Sequence, residues 1–262
     1  LIQELLTYLT ERPLLKEARS FGHLYESISL LSREKRCKSA WGPHRAECKN
    51  FILKYLSLAS SKESILILGS GPLHEIPIEE IAATFKKVTL VDIVHLQSTK
   101  KSVSHLNNIE FIEHDITEKE AELKKIKTLT PKVPQRFLNQ DWGMILSVNL
   151  MSQLPIHYQT FIEKNLKAQF TEEVIDHFLK ELTLQHFLYL KSFKAPVLLI
   201  TDTHSDYFDP LEKLLQTDDN YTHIKLPKAA HSWVWRVAPI PEFRKDIEIR
   251  MRVSGFLLNS SK

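Results

Sequence analysis

The sequence predicts an α/β protein: a mostly parallel, seven-stranded sheet that ends in an antiparallel hairpin, preceded by a helical N-terminal cap. Three observations predict it. From Ser64 onward, apolar strand-like runs alternate with helix-like ones, the order that builds parallel sheets through crossover helices. Those strand-like runs are apolar throughout rather than alternating, as expected when both faces of a sheet are covered. The C-terminal strand-like runs then follow one another with no good helix between them.

Residues 1–60 read as helical. Leu5, Leu6 and Leu9 keep helical spacing until Pro13 breaks the run, and Leu24, Ile28 and Leu31 resume it in one long segment reaching Trp41. Gly42-Pro43 reads as a stop. Cys48, Phe51, Ile52 and Tyr55 then share one side of a further helix, and "SSKES" is a polar turn. The first strand is "SILIL", followed by a glycine turn and the helix "IEEIAATF". "KVTLVD" is the second strand, and a helix over roughly 97–105 precedes the third, "IEFIEHDI". "WGMILSVNL" is the fourth. The long helical run "TEEVIDHFLKELTLQHFLYLKSF" leads to the fifth, "APVLLITD". "YTHIKL", "SWVWRVAPI" and "IEIRMRVSGFLL" read as strands, the last two joined by a loop through Pro239 and Pro241. The expected organisation is a cap over 1–60 and an α/β domain over 61–262.

Composition narrows the function classes. A hydrophobic share of 43% with 26% charged residues suits a water-soluble globular chain, and no run approaches the length of a membrane span. A formal charge of +3 permits an anionic partner without demanding one. The N-terminal run carries acids and has neither a basic start nor a small-residue cleavage site, so it is not read as a secretory leader. Cys37 and Cys48 read as free thiols of a reducing cytoplasm, because three helical turns separate them if they share a helix. No CxxC or HExxH pattern is present, and no metal site is expected.

The chain has six glycines, so the pair Gly69 and Gly71 directly after the first strand stands out. A strand-to-helix turn at the carboxyl end of a parallel sheet is where such folds take ligands, and glycine lets backbone approach a ligand closely. A dinucleotide turn would carry a third glycine where His74 stands. Glu75, Glu79 and Glu80 also place carboxylates where a pyrophosphate would need positive potential. A cationic or zwitterionic ligand such as S-adenosylmethionine meets no such conflict. Asp92, at the end of the second strand, is placed to accept from both hydroxyls of a ribose. Asp115 reads equally well as an adenine contact and as a helix cap with Thr117.

With "ILILGSGPLHE", "VTLVD", "EHDIT", "ILSVNLMSQLP" and a terminal hairpin, residues 60–262 resemble the class I (Rossmann-like) S-adenosylmethionine-dependent methyltransferases. The resemblance implies S-adenosylmethionine as cofactor, held by Gly69, Ser70, Gly71, Glu75, Asp92, Ile93, Asp115, Ile116 and Asn149. It departs from the family's usual first motif at Ile67, where an acid often stands, and Glu75 is the candidate replacement. The N/D-P-P-Y/F stretch of enzymes acting on nucleobase or glutamine nitrogens is replaced by Asn149-Leu150-Met151-Ser152. The implied activity is therefore methyl transfer to oxygen or nitrogen of a small molecule. The alternatives are a catalytically silent binding or scaffold protein, an RNA methyltransferase and a nicotinamide-dependent oxidoreductase.

Methyl transfer needs chiefly alignment, and a base only where the nucleophile carries a proton. Candidates near strand ends are His157 and Tyr158 after the fourth strand, and His204 with Asp202 after the fifth. The stretch over 32–49 is rich in Lys and Arg, and Arg33, Trp41 and His44 within it, with Tyr25, are the candidate substrate contacts. Its charge keeps RNA in view as a partner. Trp233 and Trp235 fall on one face of a strand and read as core.

Overall fold

The computed structural model describes residues 2–120 and 129–259. Strands β1 (Ser64–Leu68), β2 (Lys87–Asp92), β3 (Ile109–Glu113), β4 (Met144–Val148) and β5 (Val197–Phe208) run parallel in the order β3-β2-β1-β4-β5. Strands β7 (His231–Ala238) and β8 (Glu248–Leu258) complete the sheet. Strand β8 pairs antiparallel with both β5 and β7. The α/β class, the parallel core and the terminal hairpin are as the sequence predicts. The sheet has eight strands rather than seven, because β6 (Leu214–Asp219) folds back antiparallel on the far half of β5.

Alternate residues of β1 explain the unbroken apolar runs. Ile65 and Ile67 face a core shared with Phe51, Ile52 and Ile81, while Leu66 and Leu68 face a second core with Phe187, Tyr189 and Phe193. These partners come from helices α4 (Lys38–Tyr55), α5 (Ile78–Thr84) and α8 (Glu172–Ser192), Phe193 following directly on the last. All four β1 residues are fully buried, each contributing about 1.5–3 kcal/mol relative to exposure. Before α4 lie α1 (Ile2–Thr10), α2 (Glu17–Ser20) and α3 (His23–Arg36). Helix α6 (Gln97–Ser102) joins β2 to β3, and α7 (Leu154–Asn165) follows β4. Among the described residues no helix is long and apolar enough to cross a membrane. Cys37 and Cys48 are buried free thiols.

Three elements differ from expectation. The long N-terminal run breaks at Gly22, with φ 86°, and again at Cys37, whereas α4 passes straight through Gly42-Pro43. A residue before proline resists the helical region because its Cβ meets the proline ring, and Gly42 has no Cβ to clash. "YTHIKL" is not a strand: Asp219 accepts from the Tyr221 amide at 2.9 Å and turns the chain, burying Tyr221 and Ile224 beneath the sheet. The fifth strand runs on through "THSDYF", because β6 and β8 satisfy its backbone on both sides.

One backbone contact sets how β4 enters the sheet. A Cβ on Gly143 would lie 2.1 Å from the Ser61 carbonyl oxygen, and the Gly143 amide donates to Ser64 at 2.8 Å. Gly143→Ala must displace backbone rather than a side chain. The expected cost in urea unfolding is at or above the upper end of the ~1–3 kcal/mol typical of overpacking.

Candidate functional site

The first turn is built by strain and by missing side chains. Gly69, at φ 72°, donates to Val91 at 3.0 Å, and a Cβ there would lie 2.8 Å from the Leu150 Cβ. Gly71, at φ 48°, has no heavy atom within 4 Å of where a Cβ would stand, so its face opens on space. Leu73 follows at φ 68° although buried, a conformation a branched side chain adopts only when its surroundings enforce it. Asn149, at the end of β4, is also left-handed at φ 47°. The turn thus sits at the switch point between β1 and β4, where strand order reverses and a crevice opens.

Asp92 closes the turn from β2. Its Oδ2 accepts from the Gly71 amide and its Oδ1 from the Ile93 amide, each at 2.8 Å. A carboxylate offers about four lone-pair positions, so each oxygen keeps one for a ligand. Asp115, past β3, is largely spent: it accepts from the amides of Thr117, Lys119 and Glu120 at 2.8–2.9 Å and from the Thr117 hydroxyl. These bonds close the turn that follows β3.

Behind the turn lies His44, fully buried on α4. The Trp233 indole donates to its Nδ1 at 3.0 Å; an indole N–H only donates, so the proton of His44 sits on Nε2. That proton faces Glu75 Oε1 and the Asn149 amide, both at 3.2 Å. Asn149 Oδ1 has no partner as placed, and turning the amide over would let that oxygen accept from Nε2 instead. Burial pushes the Glu75 carboxyl up, but hydrogen bonds from His44 and Asn149 help to outweigh it and hold the group below its ordinary range. Trp235 stacks on His44 at 4.1 Å between ring centroids.

These parts border a cavity of about 580 Å³, within the usual size of a small-molecule site. Of the expected cofactor set, Gly69, Gly71, Glu75, Asp92, Ile93, Asp115, Ile116 and Asn149 border it. Ser70 does not; it is buried beneath the turn with an unpartnered hydroxyl. Arg33 and Trp41 of the substrate set border the cavity, and His44 acts from behind. Tyr25 is 62% exposed and outside it. His157 and Tyr158 border it from α7. His204 does not, since its strand carries it past the cavity to a bond with Thr203 at 3.0 Å.

Part of the basic stretch is paired: Arg33 and Arg36 share Glu242, and Arg45 pairs with Glu34.

Sequence reasoning missed His23 and Glu120. They form a short, buried hydrogen bond at the cavity wall, and the His157 ring lies 4.0 Å from the His23 ring. Burial pushes Glu120 up to about 9 and both histidines down to about 4, so the pair is neutral. Glu120 Oε2 has no partner. Nothing in the spacing of residues 23, 120 and 157 announces the cluster; only tertiary packing assembles it.

No protein-family model and no curated protein matches the chain. Solved structures similar to it include the N-methyltransferase NodS from Bradyrhizobium japonicum in complex with S-adenosylhomocysteine, 8% identical over 81% of this chain and 85% of that one, with TM-score 0.38. Another is 1,6-didemethyltoxoflavin-N1-methyltransferase from Burkholderia thailandensis, 11% identical over 94% and 92%, with TM-score 0.40. A third is the 23S rRNA methyltransferase ErmE, 11% identical over 83% and 70%, with TM-score 0.37. Likeness at this level assigns no activity, and the fold rests on the strand order itself.

The buried groups set a pH dependence. His23 and His157, near 4, and His186, near 3, are uncharged in the folded chain but take protons near 6.5 when unfolded. Folded pKa values below the unfolded ones mean that stability rises with pH up to about 6.5. Glu120 works oppositely: its folded value near 9 lies above the unfolded 4.5, so its contribution is lost as pH rises toward 9. Urea midpoints should therefore climb from pH 4.5 to 6.5 and decline above it. Glu120→Gln should flatten the alkaline decline, which is at most about 1.4 kcal/mol per pH unit for one group.

Proposed function

We propose that this protein is an S-adenosylmethionine-dependent methyltransferase whose acceptor is an oxygen or nitrogen atom of a small molecule. The observation that carries the reading is Asp92 at the tip of β2, joined at 2.8 Å to the amide of Gly71, whose other side opens on the cavity. That pairing suits a ribose on the carboxylate and the rest of a cofactor against bare backbone. The residues present fit the group: two lone pairs of Asp92 stay free, Glu75 and Asn149 offer polar contacts, and Ile93 and Ile116 offer apolar walls. Bound there, the cofactor supplies an electrophilic methyl group on sulfur. The chain's part is to fix the nucleophile in line with it and to keep water out.

A pyrophosphate is poorly served. Helix α5 starts only at Ile78, well beyond Gly71, and Glu79 and Glu80 occupy its first turn. In this reading residues 1–60 are a cap that closes the cavity. His23, Glu26, Leu30, Arg33 and Trp41, all from α3 and α4, form its roof.

Thermal unfolding with S-adenosylmethionine, S-adenosylhomocysteine and NAD(P) in turn tests the assignment. A ligand at about 100 times its Kd stabilises by about 2.7 kcal/mol, a Tm rise of roughly 5–10 °C for this size. The first two should shift the protein and NAD(P) should not; a shift with NAD(P) alone overturns the reading. Asp92→Ala should weaken S-adenosylhomocysteine by about 1.5–3 kcal/mol, the range of hydrogen bonds to a charged group. His204→Ala, outside the cavity, should leave that affinity unchanged.

A further inference from the structure

The cavity has two ends, and strand order tells them apart. Asp92 and Asp115 lie past β2 and β3, on one side of the glycine turn. On the other side, within β5, β8 and β7, lie Asp202, Ser205, Met251 and Trp235, all bordering the same cavity. Ser205, Met251 and Trp235 are register partners across the three strands, so they form one row. Were Asp92 to hold the cofactor's ribose, the cavity lining left for an acceptor would be that of the β4–β5 half.

That half has a distinct chemistry. Trp41 and Trp235 meet edge to face with ring centroids 5.2 Å apart, and Val237 and Met251 extend the apolar wall. Among them stands Asp202, 4% exposed. Its Oδ1 accepts from the Ser152 hydroxyl and its Oδ2 from the Asn220 amide at 2.7 Å, which leaves a lone pair on each oxygen. Among the described residues the only Lys or Arg bordering the cavity is Arg33, and Arg33 is paired with Glu242. An acceptor bearing a carboxylate or phosphate would meet Asp202 and Glu75 with one cation, Arg33, which shares Glu242 with Arg36. An amine on an aromatic or apolar skeleton meets a carboxylate for its nitrogen and buried apolar and indole side chains for its skeleton.

We propose that the β4–β5–β8 half of the cavity is the acceptor subsite, that its substrate class is an amine on an aromatic or apolar skeleton, and that Asp202 holds the amine nitrogen. This rests on the cofactor reading of the glycine turn. The bound ammonium gives one proton to Asp202, and the nitrogen lone pair so freed forms the new N–C bond to the methyl carbon. The C–S bond breaks, and its electron pair stays on sulfur as a neutral thioether. The methylated nitrogen keeps its other protons and leaves as an ammonium. Sulfonium and carboxylate thus become two neutral groups, and no net charge is created in the enclosed site. Burial pushes the Asp202 carboxyl above its ordinary range, which suits a proton acceptor.

The test uses a matched pair differing mainly in charge, phenethylamine and 3-phenylpropionate, titrated calorimetrically into the full chain with and without S-adenosylhomocysteine. Phenethylamine should bind at least about tenfold more tightly, the size of one charged hydrogen bond. Asp202→Asn should remove that preference while S-adenosylhomocysteine still binds. A preference for the carboxylate, equal binding, no binding of the amine, or an amine affinity unchanged in Asp202→Asn overturns the subsite. Should Asp202→Asn fail to fold, the wild-type pair alone decides. Loss of S-adenosylhomocysteine binding in the wild type with the amine preference intact overturns the cofactor reading instead and leaves the amine site standing.

Discussion

Everything at the carboxyl end of the sheet is tied to one buried imidazole. His44 belongs to α4, yet it joins Glu75 of the glycine turn, Asn149 at the end of β4, and Trp233 and Trp235 of β7. These segments are distant in sequence. A ring with two fixed hydrogen-bonding edges and one stacked face can be satisfied only when all of them are in place. A buried polar group without partners costs about 1–3 kcal/mol, so the network favours one arrangement over near alternatives. The N-terminal helices are thereby registered on the turn they cover.

That registration explains how the strained residues persist. Leu73 and Asn149 are left-handed beside Gly69 and Gly71, at an expected cost of about 1–3 kcal/mol for each non-glycine residue. The strain is held by burial on both sides. Leu73 packs in the core that also contains Phe51 and Ile52, and Asn149 donates its amide to the Ile200 carbonyl at 2.9 Å. What the strain yields is shape: backbone amides and carboxylates face a space that ordinary turns would fill with side chains.

Much of this was legible in the sequence, for physical reasons that differ by element. β1 and β2 match their predicted limits because a strand buried on both faces is apolar at most of its inner positions. β6 was invisible because it is an exposed edge strand, polar at most positions and paired on one side only. Asp92 was legible because strand-end position alone places it. His23 and Glu120 were not, since their chemistry comes from burial, and burial of a polar residue leaves no periodic trace. The pairing of Arg33 and Arg36 was not legible because Glu242 lies far along the chain.

The two ends of the cavity solve the same electrostatic problem differently. At the β3 end, His23, His157 and Glu120 lose their charges to burial, and a donor–acceptor pair remains that needs no counter-ion. Toward β5, Asp202 keeps hydrogen bonds from Ser152 and Asn220, which favour its ionised form against the pull of burial. A low-dielectric site tolerates an unpaired carboxylate poorly, so the positive charge that completes Asp202 has to arrive with a ligand. The fold therefore separates a region that can recognise a neutral heterocycle from one that is finished only by a cation. The glycine turn, held by His44, lies between them.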